Sequence, residues 1–121
     1  QSVLEGVAFG LRDSLEALRQ TGALPKALYA IGGGAKSDYW LKLLATVLQI
    51  ELQVPEDGDF GPALGAARLA QIASCGSDYN NVMRSPTVSR VVKPDTNLID
   101  AFERAYQNFK QNFAAYRSLS C

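Results

Sequence analysis

The run Ala30-Ile31-Gly32-Gly33-Gly34-Ala35-Lys36-Ser37 constrains the fold of this chain more than any other stretch. An apolar segment, Ala27 to Ile31, leads straight into three glycines, and a helical pattern follows at Ser37. Consecutive glycines are costly to order, because glycine loses more backbone freedom on folding than any other residue. Two readings account for them. One is a structural tight turn that needs positive φ. The other is a strand-to-helix turn that lets a ligand approach the backbone. Unpaired N–H groups and the positive end of a helix dipole would then meet a phosphate. The spacing is not Gly-x-Gly-x-x-Gly, and no acid follows at the distance a dinucleotide fold needs. Lys36-Ser37 also lacks the four-residue gap of a Walker A loop.

The flanking pattern is strand, helix, strand. Val3, Val7, Leu11, Leu15 and Leu18 fall at helical spacing, and Thr21-Gly22 with Pro25 ends that helix. Ser2 and Glu5 could form a capping box, or the helix could simply continue from upstream. Lys26 to Ile31 reads as a short buried strand. Ser37 is a good N-cap for a helix from Asp38 to about Leu48, with Trp40, Leu44, Val47 and Leu48 on its apolar face. Ile50 to Val54 alternates as a second strand, which implies a parallel pair with a right-handed crossover. Pro55 to Phe60 is an acidic loop, and Gly61-Pro62 opens a helix with the small face Ala63, Gly65, Ala66, Ala67 and Ala70. Residues 1–75 thus read as an α-β-α-β-α core. Residues 76–96 have no clear period and read as irregular, and 97–118 read as a closing helix capped by Asn97. Two strands do not make a stable sheet. Either a strand is uncounted, or the sheet continues in sequence upstream.

With 121 residues the chain is at most one domain. Twelve basic and twelve acidic residues cancel, which argues against broad electrostatic binding to nucleic acid or to an anionic membrane. No apolar run approaches bilayer length and no signal-peptide pattern opens the sequence. Cys75 and Cys121 lack metal-ligand spacing, so a reducing, cytoplasmic setting is the simplest reading. The absence of histidine removes Ser-His-Asp and Cys-His catalysis and His-ligated zinc from this chain.

Three segments occur in order: Leu4-Glu5-Gly6-Val7-Ala8-Phe9; Ile31-Gly32-Gly33-Gly34-Ala35-Lys36-Ser37 with Trp40; and Pro62-Ala63-Leu64-Gly65-Ala66-Ala67. Together they resemble the C-terminal domain of FGGY-family carbohydrate kinases over about residues 1–73, with the likeness leaning toward members that phosphorylate D-xylulose. The resemblance implies an α/β fold. It would be part of an actin-like (ribonuclease H-like) ATPase domain, with helices on a small, incomplete sheet holding a parallel strand pair. It implies ATP and Mg²⁺ as cofactors, with Gly32, Gly33, Gly34, Ala35, Lys36, Ser37 and Asp38 at the nucleotide. Several relatives carry an asparagine, which can address the adenine, where Asp38 stands here. The helix holding Ala63, Leu64, Gly65 and Ala66 would pack beneath the turn. Many relatives open it with an acid, whereas Phe60-Gly61-Pro62 stands here. The family's catalytic aspartate, its first phosphate loop and most of its sugar contacts belong to an N-terminal domain. No such motif occurs in this sequence, so no catalytic residue and no metal ligand is assigned, and the chain alone is expected to be inactive.

Other features stay local. Glu56, Asp57 and Asp59 could hold Mg²⁺, but without defined ligand spacing a solvated acidic loop is preferred. Phe102, Tyr106, Phe109 and Phe113 form a stripe read as core rather than a partner groove. Trp40 could border an adenine pocket or serve the core. Arg90 and Lys93 receive no role. The expected partners are a nucleotide, a sugar held through the absent domain, and further copies of the chain at an open sheet edge. The competing reading is a non-catalytic α/β binding or assembly module with a structural glycine turn.

Overall fold

The computed structural model describes residues 2–56, 58, 61–76 and 78–119. The elements are α1 (Ser2–Gln20), β1 (Ala27–Tyr29), a 3₁₀ turn (Gly33–Lys36), α2 (Asp38–Leu48), β2 (Glu51–Pro55), α3 (Gly61–Cys75), α4 (Tyr79–Val82), β3 (Val88–Val92) and α5 (Ile99–Leu119).

The sheet has the order β1-β2-β3. β1 runs parallel to β2, with Leu28 opposite Leu52, as the strand–helix–strand pattern requires. β3 pairs antiparallel with β2, and Val54 lies opposite Arg90. β3 and the one-turn α4 lie within residues 76–96, which read as irregular from sequence. A third strand is thus in the chain, hidden because Ser89 and Arg90 interrupt its apolar character between Pro86 and Pro94. A bulge falls between Val54 and Pro55. Pro55 has no N–H to give the ladder, and the Ser89 hydroxyl donates to the Val54 carbonyl at 2.9 Å.

α2 is the centre of the molecule. Leu41, Leu43, Leu44, Ala45, Thr46, Val47 and Leu48 are all buried. A helix with so wide an apolar surface must be largely covered, and α1, α5 and the sheet cover this one while Asp38, Tyr39 and Lys42 face solvent. Ser37 caps it, accepting the Trp40 N–H at 3.2 Å. Gln49 ends it in the left-handed region at φ 52°. Thr46 donates to the Lys42 carbonyl at 2.7 Å and accepts the Asp95 N–H at 3.0 Å, which ties the turn before α5 to this helix.

α1 turns a different face inward from the one its spacing suggests. Ala8, Phe9, Arg12 and Leu15 are buried, whereas Val3, Val7, Leu11 and Leu18 are exposed. At 3.6 residues per turn the two faces lie roughly a third of a turn apart. The helix carries two apolar faces, and periodicity alone cannot choose between them. Ser2 is already helical, so it is not the N-cap of a capping box. α5 likewise starts at Ile99, after Asp95 accepts the Asn97 N–H at 3.1 Å, rather than on a cap at Asn97.

The aromatic stripe of α5 joins the core. The Phe9 ring lies 5.9 Å from Tyr106 and 5.5 Å from Phe109, while Phe113 extends outward from Phe109 and is exposed. Tyr106 donates to Asp13 at 2.5 Å. Burial first, and then this bond, push its phenol up from 10.0 to about 12. An unfolded tyrosine ionises near 10.0 while the folded one stays neutral until about 12. This contribution is therefore complete below pH 10 and is lost as pH rises toward 12. Urea titrations at about pH 9 and about pH 11 should show an alkaline loss of stability that Tyr106→Phe removes. An equal loss in the variant would contradict the assignment.

Candidate functional site

The glycine run is built in two steps rather than as a direct strand-to-helix turn. Gly32 sits at φ 82°, ψ −174°, a region open essentially to glycine alone. Its N–H donates to the Gly58 carbonyl at 3.0 Å, which ties the turn to the loop after β2. Gly33 to Lys36 then form the 3₁₀ turn, closed by Ala35 N–H to Gly32 O at 3.0 Å and Ser37 N–H to Gly34 O at 3.2 Å. The N–H groups of Gly33 and Gly34 make no hydrogen bond among the described residues. Space at Gly33 is open, since an added Cβ would meet nothing within 4 Å. At Gly34 a Cβ would sit 3.3 Å from the Trp40 indole, so half-buried Trp40 lies directly against the turn. It borders the site and also packs on the core.

Two amides unpaired among the described residues, in an exposed turn, can hydrogen-bond an anionic oxygen. Gly32, Gly33, Gly34, Ala35, Lys36, Ser37 and Asp38 are thus contiguous at one place between β1 and α2. Their individual parts differ. Ser37 is engaged as the helix cap, and Asp38 is in an ion pair with Arg90. The Arg90 Nη1 donates to Asp38 Oδ1, and its Nη2 donates to the Ala35 carbonyl at 3.2 Å. Nothing in the residues adjoining Arg90 marks it for this position. The signal that could have found it is the two-residue spacing of Arg90 and Val92, opposite Val54 and Leu52 on one strand face, although the bulge takes Val88 out of that alternation.

α3 approaches the turn through its first residue. A Cβ at Gly61 would lie 2.7 Å from Ile31 Cδ1, so glycine permits the contact. Leu64 and Gly65 line a cleft of about 360 Å³ with Ile31, Arg68 and Arg84, whereas Ala63 and Ala66 are exposed. Only part of the small-residue helix therefore lies against the turn. Of the acidic loop, Glu56 is exposed, while Asp57 and Asp59 lie outside the described residues. Among the described residues no three metal-ligating side chains gather, and no helix is long and apolar enough to cross a membrane.

Comparison with known proteins agrees with the sequence resemblance. The family model for the C-terminal domain of FGGY carbohydrate kinases matches residues 1–74. The chain belongs to the FGGY family. It is 47% identical over 74 residues to the xylulose kinase of Escherichia coli K12, covering 61% of this chain and 15% of that protein. It is 31% identical over 120 residues to the xylulose kinase of Klebsiella pneumoniae, covering 98% of this chain and 25% of that one. A crystal structure of a xyloylose kinase from Brucella ovis superposes with a TM-score of 0.87 at 44% identity, covering 98% of this chain and 25% of the other. The α/β arrangement is thus the actin-like ATPase fold of FGGY sugar kinases, and the chain spans about a quarter or less of the length of these relatives.

Proposed function

We propose that this chain is the ATP-holding part of a sugar kinase that transfers the γ-phosphate of ATP to D-xylulose, giving D-xylulose 5-phosphate. The observation that carries the nucleotide assignment is the pair of unpaired amides, Gly33 and Gly34, held open by the glycine-only conformation of Gly32. The choice of D-xylulose rests on the xylulose kinases among the relatives. Another ketose or a polyol is the alternative within the family. Mg²⁺ would arrive with the nucleotide and neutralise phosphate charge. The residues of this chain would bind and orient the nucleotide, which is most of what phosphoryl transfer asks of a protein. The aspartate that activates the sugar hydroxyl would come from the N-terminal domain, in a reducing, cytoplasmic setting. The chain alone should therefore bind ADP yet leave D-xylulose and ATP unconverted. Isothermal titration with ADP and a coupled kinase assay test both statements. A folded chain that ignores millimolar ADP would favour the non-catalytic module.

We also infer that copies of the chain associate. Among the described residues β1 is an edge strand with a free side, and α1 exposes Val3, Val7, Leu11 and Leu18. Unpaired edges and contiguous apolar faces promote association. Light scattering should show mass rising with concentration, and a monomer at every concentration would contradict this.

A further inference from the structure

We propose that Arg90 is the positioning residue of the glycine turn. Its guanidinium spans two points at opposite ends of the same short segment, the Ala35 carbonyl inside the 3₁₀ turn and the Asp38 carboxylate at the start of α2. It reaches them from β3, more than fifty residues further along the chain. The turn is thus fastened on one side by Gly32 to Gly58 and on the other by Arg90. A planar fork can make both contacts at once, whereas a lysine ammonium on a flexible stem is not preorganised for them. The register explains how the side chain arrives. Arg90 lies opposite Val54 on the sheet, next to the bulge that Pro55 imposes.

The pair also sets the local charge. Asp38 is highly exposed and lies four residues from the Gly34 amide. Without a cation beside it, its carboxylate would repel any anion at the turn. Arg90 cancels that charge and holds the backbone in one stroke. Asp38 then acts through Arg90. This consequence for ligand binding rests on the nucleotide reading above, whereas the ordering of the turn does not.

The experiment uses amide hydrogen exchange by NMR and ADP titration on the chain, with Arg90→Gln, Arg90→Lys and Asp38→Asn, circular dichroism confirming the fold of each. The Ala35 and Ser37 amides, which close the turn, should exchange about three- to tenfold faster in Arg90→Gln, with Arg90→Lys between it and the parent. ADP affinity should fall by a similar factor in Arg90→Gln. It should recover in part when Asp38→Asn is added, because the unpaired carboxylate is then removed. Unchanged exchange in Arg90→Gln overturns the proposal whatever ADP does. Faster exchange with unchanged ADP affinity overturns its bearing on the ligand. Faster exchange in a chain that binds no ADP supports the positioning role and instead removes the nucleotide reading.

Discussion

Alanine at Gly32 is expected to cost about 1–3 kcal/mol of stability and to abolish measurable ADP binding. The backbone there, at φ 82° and ψ −174°, is a conformation that a Cβ makes strained whatever the surrounding space. Relief would require the turn to rotate. That would break the Gly32 to Gly58 bond and the Ala35 to Gly32 bond together. The neighbouring glycine separates fold from function. Gly33 has no positive φ, and its Cβ position is in open space. Gly33→Ala should therefore hold or raise stability by a few tenths of a kcal/mol, through a less flexible unfolded chain. Yet it places a methyl group where a ligand would approach the amides. Urea denaturation and ADP titration of both variants read the two effects separately. Equal stability loss in both would contradict the assignment of strain to Gly32.

Removing the carboxylate at Glu103 should also destabilise, by about 1–2 kcal/mol, since Arg12 is buried but the Glu103 side chain is 38% exposed and partly screened. Arg12 is buried, and its Nη2 donates to Glu103 Oε2 at 2.6 Å, while its Nε and Nη1 have no hydrogen-bond partner among the described residues. Its other company is the Tyr106 ring, 4.3 Å below the guanidinium. Glu103 also accepts from Gln107 at 2.8 Å and from Gln49 at 3.3 Å, joining α1 and the end of α2 to α5. Hydrogen bonds from Gln107 and then Arg12 hold its carboxyl below the ordinary 4.5. Glu103→Ala removes the carboxylate partner of the guanidinium and leaves its contact with the Tyr106 ring. The paired change Arg12→Met with Glu103→Leu removes both charges, and should cost far less than the single change because no charge is orphaned. Urea midpoints for the single and double variants check this. A double variant as unstable as the single would show that packing, not the ion pair, sets the cost.

What could be read from sequence followed from how local each signal was. The α2 helix, its Ser37 cap and the parallel pair of β1 and β2 depend on neighbouring residues, and were legible. The inward face of α1 was not, because Val3, Val7, Leu11 and Leu18 are as periodic as the residues that are buried. The choice between them depends on where α2 and α5 lie. β3 escaped because Ser89 and Arg90 are polar for reasons that only the fold reveals, a bond to the bulge and a hold on the turn. The site followed the same rule. The glycines announced themselves, but Asp38 gave no sign of the distant arginine that occupies it.

Whether the amides of Gly33 and Gly34 receive a nucleotide can be observed residue by residue. A ¹⁵N-resolved NMR titration of the chain with ADP tests it directly. The largest shifts should fall at Gly33, Gly34 and Ala35, with Trp40 responding through its contact with Gly34. A folded chain whose shifts at millimolar ADP leave the residues from Gly32 to Asp38 unmoved would contradict it.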